Sequence, residues 1–169
     1  MVVADECKIQ REPNRFYRWN QKGITPVLRV DRKKGDAFSF YAGLSLKTKQ
    51  EIAYLTQEHQ TGHETCFFLD EIKKTYQGRG KILLVWDGGR HHMGEVKDWL
   101  IKNPSVVELF KFPPYCPDLN PQEHVWKVLR ANLATIAHNV SYDQLINRAC
   151  RFLLTTTFDY DFGIPADLV

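Results

Sequence analysis

The sequence lacks several features that would assign it to common protein classes. No apolar run approaches the roughly 18 residues of a membrane-spanning helix, and the N-terminus has neither the basic nor the long apolar region of a signal peptide. The four cysteines, at positions 7, 66, 116 and 150, form no Cys-x-x-Cys pair, which argues against a zinc site and for reduced, mostly buried thiols. Repeats and low-complexity stretches are also missing. We therefore expect a cytoplasmic protein whose 169 residues form one domain.

Positive charge is concentrated near the N-terminus. The net charge of the whole chain is +3, but residues 8–34 include nine basic and only two acidic side chains, with Phe16, Tyr17 and Trp19 among them. This composition suits contact with nucleic-acid phosphates and stacking on bases, and it equally fits a solvated hairpin face. The candidate DNA-binding residues are Arg15, Arg18, Lys22, Arg29, Lys33 and Lys34, together with Arg90 and His92 further along the chain.

The order of predicted elements is typical of a mixed α/β sheet. Strands are predicted at residues 2–9, 27–30, 37–45, 81–87 and 106–112. The secondary structure of residues 46–60 is ambiguous, and EIAYLTQ within them could form a further strand. Helices are predicted at residues 61–76, 91–102, 121–137 and 141–154. Antiparallel strands come first and β-α-β crossovers follow, which indicates a mixed sheet flanked by helices.

Three acidic residues occupy positions suited to metal binding. Asp5 follows the apolar VVA and Asp87 follows the apolar ILLVW, and the ends of buried strands line the functional crevice of α/β sheets. Strand alternation allows either Asp5 or its neighbour Glu6, but not both, to face that crevice. Glu123 begins a helix after a proline-rich loop at residues 113–121. Three such acids can hold two metal ions roughly 4 Å apart.

Structural roles would also explain these residues. Glu123 is the third residue after Asn120, which fits a helix-capping box. Asp87 precedes two glycines and fits the start of a turn. The adjacent His91 and His92 are a candidate metal-binding pair, although adjacent histidines more often cap a helix or form hydrogen bonds.

Two stretches, LLVWDGGRHH and FPPYCPDLNPQEHVWKVLR, closely resemble the DDE-type transposases of bacterial insertion sequences related to the mariner superfamily. In that family an apolar strand ends in Asp, often as Asp-Asn-Ala with a His five residues after the Asp. A Pro-Pro-Tyr-Ser-Pro-Asp-Leu-Asn-Pro-Ile-Glu loop follows about 35 residues later. Here Asp87, His92 and Glu123 match those positions, and VVADE resembles the first strand, with Asp5 as the first acid. The stretch WNQKGITPVLRV resembles the family's hairpin.

The resemblance implies a ribonuclease H-like fold for residues 1–169 and a catalytic, metal-binding set of Asp5, Asp87 and Glu123. It also implies two Mg²⁺ or Mn²⁺ ions and an enzyme that is a metal-dependent DNA endonuclease and strand transferase. Such an enzyme cuts transposon ends by hydrolysis, and the freed 3′-hydroxyl then attacks target DNA, both steps being phosphoryl transfers. The implied partner is DNA, and action on paired ends is compatible with a homodimer.

The sequence departs from the family pattern at Gly88, where Asn is common, and at Cys116, where Ser is common. Transposases of this family usually begin with helix-turn-helix modules, whereas this sequence begins at the catalytic strand. We therefore expect an N-terminal helix-turn-helix domain to be absent. A shortened chain, a split or frameshifted gene, or a remnant of a transposon would each explain this. Two alternative functions remain, a ribonuclease H-like nuclease or junction resolvase, and an inactive truncated transposase that binds DNA.

Overall fold

The computed structural model describes residues 1–10, 21–23, 37–56, 60–86, 94–113, 119–134 and 140–159. These residues form five strands and four helices. The strands are β1 (Val2–Gln10), β2 (Ala37–Ser45), β3 (Glu51–Thr56), β4 (Ile82–Trp86) and β5 (Val107–Lys111). The helices are α1 (Gly62–Thr75), α2 (Glu95–Lys102), α3 (Pro121–Ala134) and α4 (Tyr142–Thr155).

The strands form one sheet in the order β3-β2-β1-β4-β5. The β1–β2 and β2–β3 pairs are antiparallel, and the β1–β4 and β4–β5 pairs are parallel. The predicted mixed sheet, antiparallel first and parallel later, is confirmed. The third antiparallel strand is β3, from the segment that was ambiguous in the sequence. The strand predicted at 27–30 lies outside the described residues.

Helices cover both faces of this sheet. On the α3–α4 face, α3 and α4 enclose a core that includes Trp126 and Leu153, and on the α1–α2 face, α1 and α2 enclose a core that includes Phe68 and Val96. Side chains of β4 illustrate the two layers, because Ile82, Leu84 and Trp86 are buried and the residues between them are half-buried. A strand with cover on both faces requires consecutive apolar side chains, which explains the run ILLVW.

Local signals set the helix starts. Ser141 and Gln144 form the capping box of α4, as expected for a helix predicted to begin at Ser141. The Thr61 hydroxyl accepts a hydrogen bond from the Glu64 backbone at the start of α1. The helix α2 begins later than predicted, at Glu95, because Gly94 has φ +70° and interrupts a right-handed helix.

The structure also bears on membrane insertion and on the cysteines. No helix in the described ranges is both long and apolar enough to cross a membrane. Cys7, Cys66 and Cys150 are free thiols, but Cys7 is buried and the other two are half-buried, so they are less buried than the sequence predicted. Cys116 lies outside the described residues.

Candidate active site

Asp5 and Glu6 lie on opposite faces of the sheet. The neighbours of Asp5 at alternate positions, Val3 and Cys7, belong to the core of the α3–α4 face. Glu6 faces the other side, where the pKa of Tyr41 is raised to about 12, mainly by burial and to a smaller extent by the charge of Glu6. Of the two candidate acids in β1, Asp5 is therefore the one that faces α3.

N–H donors from described residues of two elements hold the half-buried carboxylate of Asp5. Oδ1 accepts a hydrogen bond from the Glu6 backbone at 2.8 Å. Oδ2 accepts from Asn120 Nδ2 at 3.0 Å and from Trp126 Nε1 at 3.3 Å. Donors of this kind favour the charged form of a carboxylate and restrict its orientation. Asp5 is thus a carboxylate of restricted orientation at the contact between β1 and α3.

Asn120 joins the start of α3 to this anion. Its side-chain oxygen accepts a hydrogen bond from the Gln122 backbone at 3.0 Å, which is the N-cap interaction predicted from the sequence. Its side-chain nitrogen donates to Asp5, 115 residues away along the chain. One amide therefore both caps the helix and determines where the helix begins relative to β1.

Glu123 is exposed in the first turn of α3. Its backbone N–H donates to the Asn120 carbonyl at 3.1 Å. The Asn120 side chain accepts from the Gln122 backbone rather than from that of Glu123, so this cap differs from the capping box that the sequence suggested. Because Glu123 is exposed, its carboxylate is accessible to a ligand.

The pKa of the Cys7 thiol depends on the charged groups around it. Burial raises its pKa to about 11, and the Arg130 guanidinium opposes this rise. The negative charges of Asp5 and Glu123 both add to it. Since charge effects decline steeply with distance, both carboxylates lie near this thiol and on the same side of the sheet. Asp5 and Glu123 therefore both act on Cys7, although most of the chain separates them in sequence.

Arg130 and Cys7 form a contact beside the two acids. Arg130 Nη2 donates to Cys7 Sγ at 3.1 Å. Neither residue was predicted from the sequence to belong to a site. Two regularities would have indicated them: Cys7 is two residues after Asp5 on one strand face, and Arg130 is two helical turns after Glu123.

Trp126 belongs to the core of the α3–α4 face and also reaches the candidate site. The side chain is fully buried, and its indole N–H reaches Asp5. A buried indole nitrogen requires an acceptor, so a tryptophan on the core face of a helix that follows a candidate acid is a useful signal.

The strand that leads to Asp87 lies beside the strand of Asp5. In the parallel β1–β4 pair, Val2 is opposite Leu84 and Val3 is opposite Val85. Trp86 is the last residue of β4 and immediately precedes Asp87 in the sequence. Asp87 itself, together with His91, lies outside the described residues.

Among the candidate DNA-binding residues, the structure describes Lys22 alone, which is exposed in a turn next to Gly23. The others, Arg15, Arg18, Arg29, Lys33, Lys34, Arg90 and His92, lie outside the described residues.

The described residues fit a hard cation in their chemistry. Asp5 and Glu123 supply carboxylate oxygens, the ligands that Mg²⁺ and Mn²⁺ prefer. Burial raises the pKa of the Cys7 thiol to about 11, which disfavours the thiolate form that binds metal. Two described carboxylates are too few for a complete site, and no group of three or more His, Cys, Asp or Glu side chains lies together within the described ranges.

Comparison with known proteins gives a family and a set of similar folds. The family model described as "DDE superfamily endonuclease" matches residues 1–146. One sequence relative, the uncharacterized protein y4pE/y4sA of Sinorhizobium fredii (strain NBRC 101917 / NGR234), is 28% identical over 82 residues, covering 48% of this chain and 58% of that protein.

Among solved structures, the Mos1 transposase paired-end complex with left transposon end has a TM-score of 0.69 at 16% identity, over 94% of this chain and 48% of that chain. A Mos1 mariner paired-end complex with Mn has a TM-score of 0.67 at 16% identity, over 94% and 49% of the two chains. The HTLV-2 integrase catalytic core domain in complex with magnesium has a TM-score of 0.56 at 10% identity, over 90% and 82%.

These similarities confirm the ribonuclease H-like fold that the resemblance implied. Identities of this size show the fold alone. The chain spans about half the length of the Mos1 chains that it matches.

Proposed function

Since the chain belongs to the DDE superfamily of endonucleases, we propose that it is a transposase catalytic domain that cleaves DNA and transfers strands with the help of divalent metal ions. The observation that carries this proposal is the position of Asp5. Its carboxylate is held by Asn120 and Trp126 beside the helix that bears Glu123. Two acids on separate elements, close in space and not paired with each other, are suited to share a cation.

We assign the metal ligands to Asp5, Asp87 and Glu123. Support for Asp87 comes from the pairing of β1 with β4, the strand that ends one residue before it. Two bound Mg²⁺ or Mn²⁺ ions would activate a water or a DNA 3′-hydroxyl and stabilise the leaving oxygen of the phosphodiester. The contribution of the protein is mainly positional: Asn120 and Trp126 fix the direction of the Asp5 carboxylate, and Arg130 offsets part of the negative charge nearby.

DNA is the proposed substrate in both steps, first as a transposon end and then as a target. The basic segment at residues 8–34, with Lys22 exposed, would contact phosphates through charge rather than base sequence. The matched Mos1 structures are paired-end complexes, and by analogy we propose that two copies of this chain act on two ends.

A plasmid-nicking assay tests the proposal. The purified chain is incubated with supercoiled DNA and Mn²⁺, and the rate of nicking is compared among wild type, Asp87→Asn, Glu123→Gln and Glu108→Gln. Loss of a metal ligand should slow nicking by about a thousandfold or more. Glu108→Gln is the matched control because it removes an exposed carboxylate on β5, where its partner is Lys81. Wild-type nicking that persists in Asp87→Asn, or that needs no metal, contradicts the proposal.

Two further substrates separate transposition from the alternatives. Oligonucleotides with a free 3′-hydroxyl should be joined to target plasmid in the presence of Mn²⁺, as strand transfer requires. Preferential cleavage of RNA–DNA hybrids or of four-way junctions would instead indicate a ribonuclease H or a resolvase. Binding of DNA with no cleavage under any metal condition would indicate an inactive relative.

A further inference from the structure

Glu51 is an acid buried in the core of the α3–α4 face. It is the first residue of β3, and it shares a strand face with Ala53 and Leu55, which pack in that core. The residue opposite it on β2 is Leu44, which is fully buried. Only 7% of Glu51 is exposed. A carboxyl group in such a position needs an explanation, because carboxylates are seldom buried without a partner.

Gln122, the second residue of α3, is the other buried polar side chain in this region. It is 0% exposed, and it directly precedes Glu123. Neither carboxyl oxygen of Glu51 and neither side-chain polar atom of Gln122 has a hydrogen-bond partner among the described residues. Buried polar atoms are almost always hydrogen-bonded in native proteins, so four unpartnered atoms at one place suggest a pair that closes on itself.

Glu51 and Gln122 influence each other directly. Burial raises the pKa of Glu51 to about 8, and the Gln122 amide lowers it in part. The amide is therefore close to the carboxyl group, just outside hydrogen-bonding geometry. At neutral pH the acid is mostly protonated. A protonated carboxyl and a primary amide are complementary, since each has one donor and one acceptor to offer the other.

Among the described residues, no charged group contributes to the pKa of Glu51, which burial raises and the Gln122 amide lowers in part. The ionised side chains on the helices of this face are exposed, namely Glu123, His124 (when protonated), Lys127 and Arg130 of α3 and Asp143, Arg148 and Arg151 of α4. On the β2–β3 turn, Lys47 is exposed and Lys49 is half-buried.

The backbone of Gln122 connects this pair to the candidate active site. Its N–H donates to Asn120 Oδ1 at 3.0 Å, and Asn120 Nδ2 donates to Asp5 Oδ2 at 3.0 Å. A polar path thus runs from Glu51 on β3, through the first turn of α3, to Asp5 on β1. Glu123 is the next residue in that same turn.

We propose that Glu51 is a positioning residue, which as a neutral acid hydrogen-bonds Gln122 and holds the first turn of α3, with Asn120 and Glu123, beside Asp5. The role assigned to Glu123 rests on the proposed function, whereas the Glu51–Gln122 pair itself does not. Ionisation of Glu51 at alkaline pH places a charge in the core and weakens the attachment of this turn.

The sign of the pH dependence follows from the direction of the shift. The pKa of Glu51 is raised from 4.5 to about 8 in the folded chain, so between these values the folded state holds a proton that the unfolded state has lost. Stability is therefore undiminished below pH 4.5, falls as the pH rises towards about 8, and levels off above it. The unfolding equilibrium constant should rise by up to about tenfold per pH unit within that window.

Denaturant unfolding of the full chain at several pH values, from 5 to 9 in steps, measures this effect. Glu51→Gln keeps the size and hydrogen-bonding capacity of the neutral acid but cannot ionise, so the wild type should lose stability relative to it as the pH rises. Glu108→Gln, at an exposed position on β5, is the matched control and should follow the wild type. Identical pH profiles for wild type and Glu51→Gln would overturn the proposal.

A double-mutant cycle tests the pairing. Glu51→Leu and Gln122→Leu should each destabilise the chain at pH 6 by leaving one polar group buried alone, and the double variant should recover much of the loss. Strictly additive effects would show that the two side chains do not interact. Should Glu51→Leu fail to fold, the comparison of Glu51→Gln with wild type still decides the question.

Carbon-13 methyl NMR of Val125, which lies one helical turn after Gln122, tests whether Glu51 positions the start of α3, and it requires no measurement of activity. Its signals should titrate with the Glu51 ionisation in wild type and stay constant in Glu51→Gln. Val125 methyl signals that stay constant with pH in the wild type would contradict the positioning role, because Glu51 would then have no influence on α3. If nicking is also absent in wild type at every pH while these signals titrate, the proposed function fails and the Glu51–Gln122 pair stands.

Discussion

The two faces of the sheet both bury apolar side chains, but they place polar groups differently. On the α1–α2 face, Trp99 donates to Asp70 at 2.8 Å and His63 contacts Glu95 at 3.3 Å, and these pairs lie at the exposed rim. On the α3–α4 face, Trp126 donates inward to Asp5. The residues Asn120, Gln122 and Glu51 are also buried on that face.

This difference in buried polar groups agrees with the proposed placement of the site on the α3–α4 face. A buried polar group costs free energy unless its hydrogen bonds are complete, so a sequence selected for stability alone would place apolar residues there. The polar side chains buried on the α1–α2 face include small hydroxyl groups, such as that of Thr65, which donates to the Thr61 carbonyl. The α3–α4 face instead buries an acid and two amides, Glu51, Asn120 and Gln122, near Asp5, and buried groups of this kind cluster at functional sites.

The largest expected effect separates the adjacent acids of β1. Asp5→Asn should slow Mn²⁺-dependent nicking by about a thousandfold or more, because it removes a proposed metal ligand that faces α3. Glu6→Gln changes the other face and should leave the nicking rate nearly unaltered. The measurement is the initial rate on supercoiled plasmid, with circular dichroism to verify folding. Equal losses in the two variants would remove the distinction between the faces.

A smaller effect is expected from a core cavity on either face. Ile72→Ala, on the α1–α2 face, and Leu129→Ala, on α3, both truncate fully buried side chains. Each should lower the free energy of unfolding by about 2–5 kcal/mol, as measured in urea. Only Leu129→Ala should also slow nicking per folded molecule, since α3 bears Glu123. A matching loss of nicking in Ile72→Ala would show that both faces determine the geometry of the site.

The smallest effect concerns single hydrogen bonds of two tryptophans. Trp126→Phe and Trp99→Phe each delete an indole N–H that reaches a carboxylate, Asp5 in one case and Asp70 in the other. We expect Trp126→Phe to slow nicking by about tenfold, because the Asp5 carboxylate loses one of its fixed donors. Trp99→Phe serves as its control and should leave the rate unchanged. Comparable rates for the two variants would show that Asp5 is held adequately by Asn120.

Several elements could be predicted from local pattern, and others could not. β2 matches its prediction at both ends, because AFSFYAGLS is an apolar run rich in aromatic residues between turn signals. β3 was ambiguous, since EIAYLT alternates poorly and begins with a glutamate. Its identity as a strand comes from pairing with β2 over six residues, a long-range interaction that no local pattern encodes.

The candidate site divides in the same way. Asp5 and Glu123 could be proposed from their strand and loop contexts, and the cap at Asn120 from helix-start chemistry. The bond from Asn120 to Asp5 spans 115 residues, and the contact of Arg130 with Cys7 spans 123. Contacts between residues so distant in sequence depend on the strand against which α3 packs. Local periodicity in the sequence does not reveal that strand.

By itself, the sequence determined the mixed α/β class of fold, most of the strands and helices, and the acids worth testing, because burial periodicity, caps and motif spacing are local properties of the chain. Only the tertiary structure decided that Asp5 rather than Glu6 faces α3, and that Glu51 and Gln122 meet in the core. Both outcomes depend on which face of a strand a distant helix covers, and that is settled by the packing of the whole sheet rather than by any one segment.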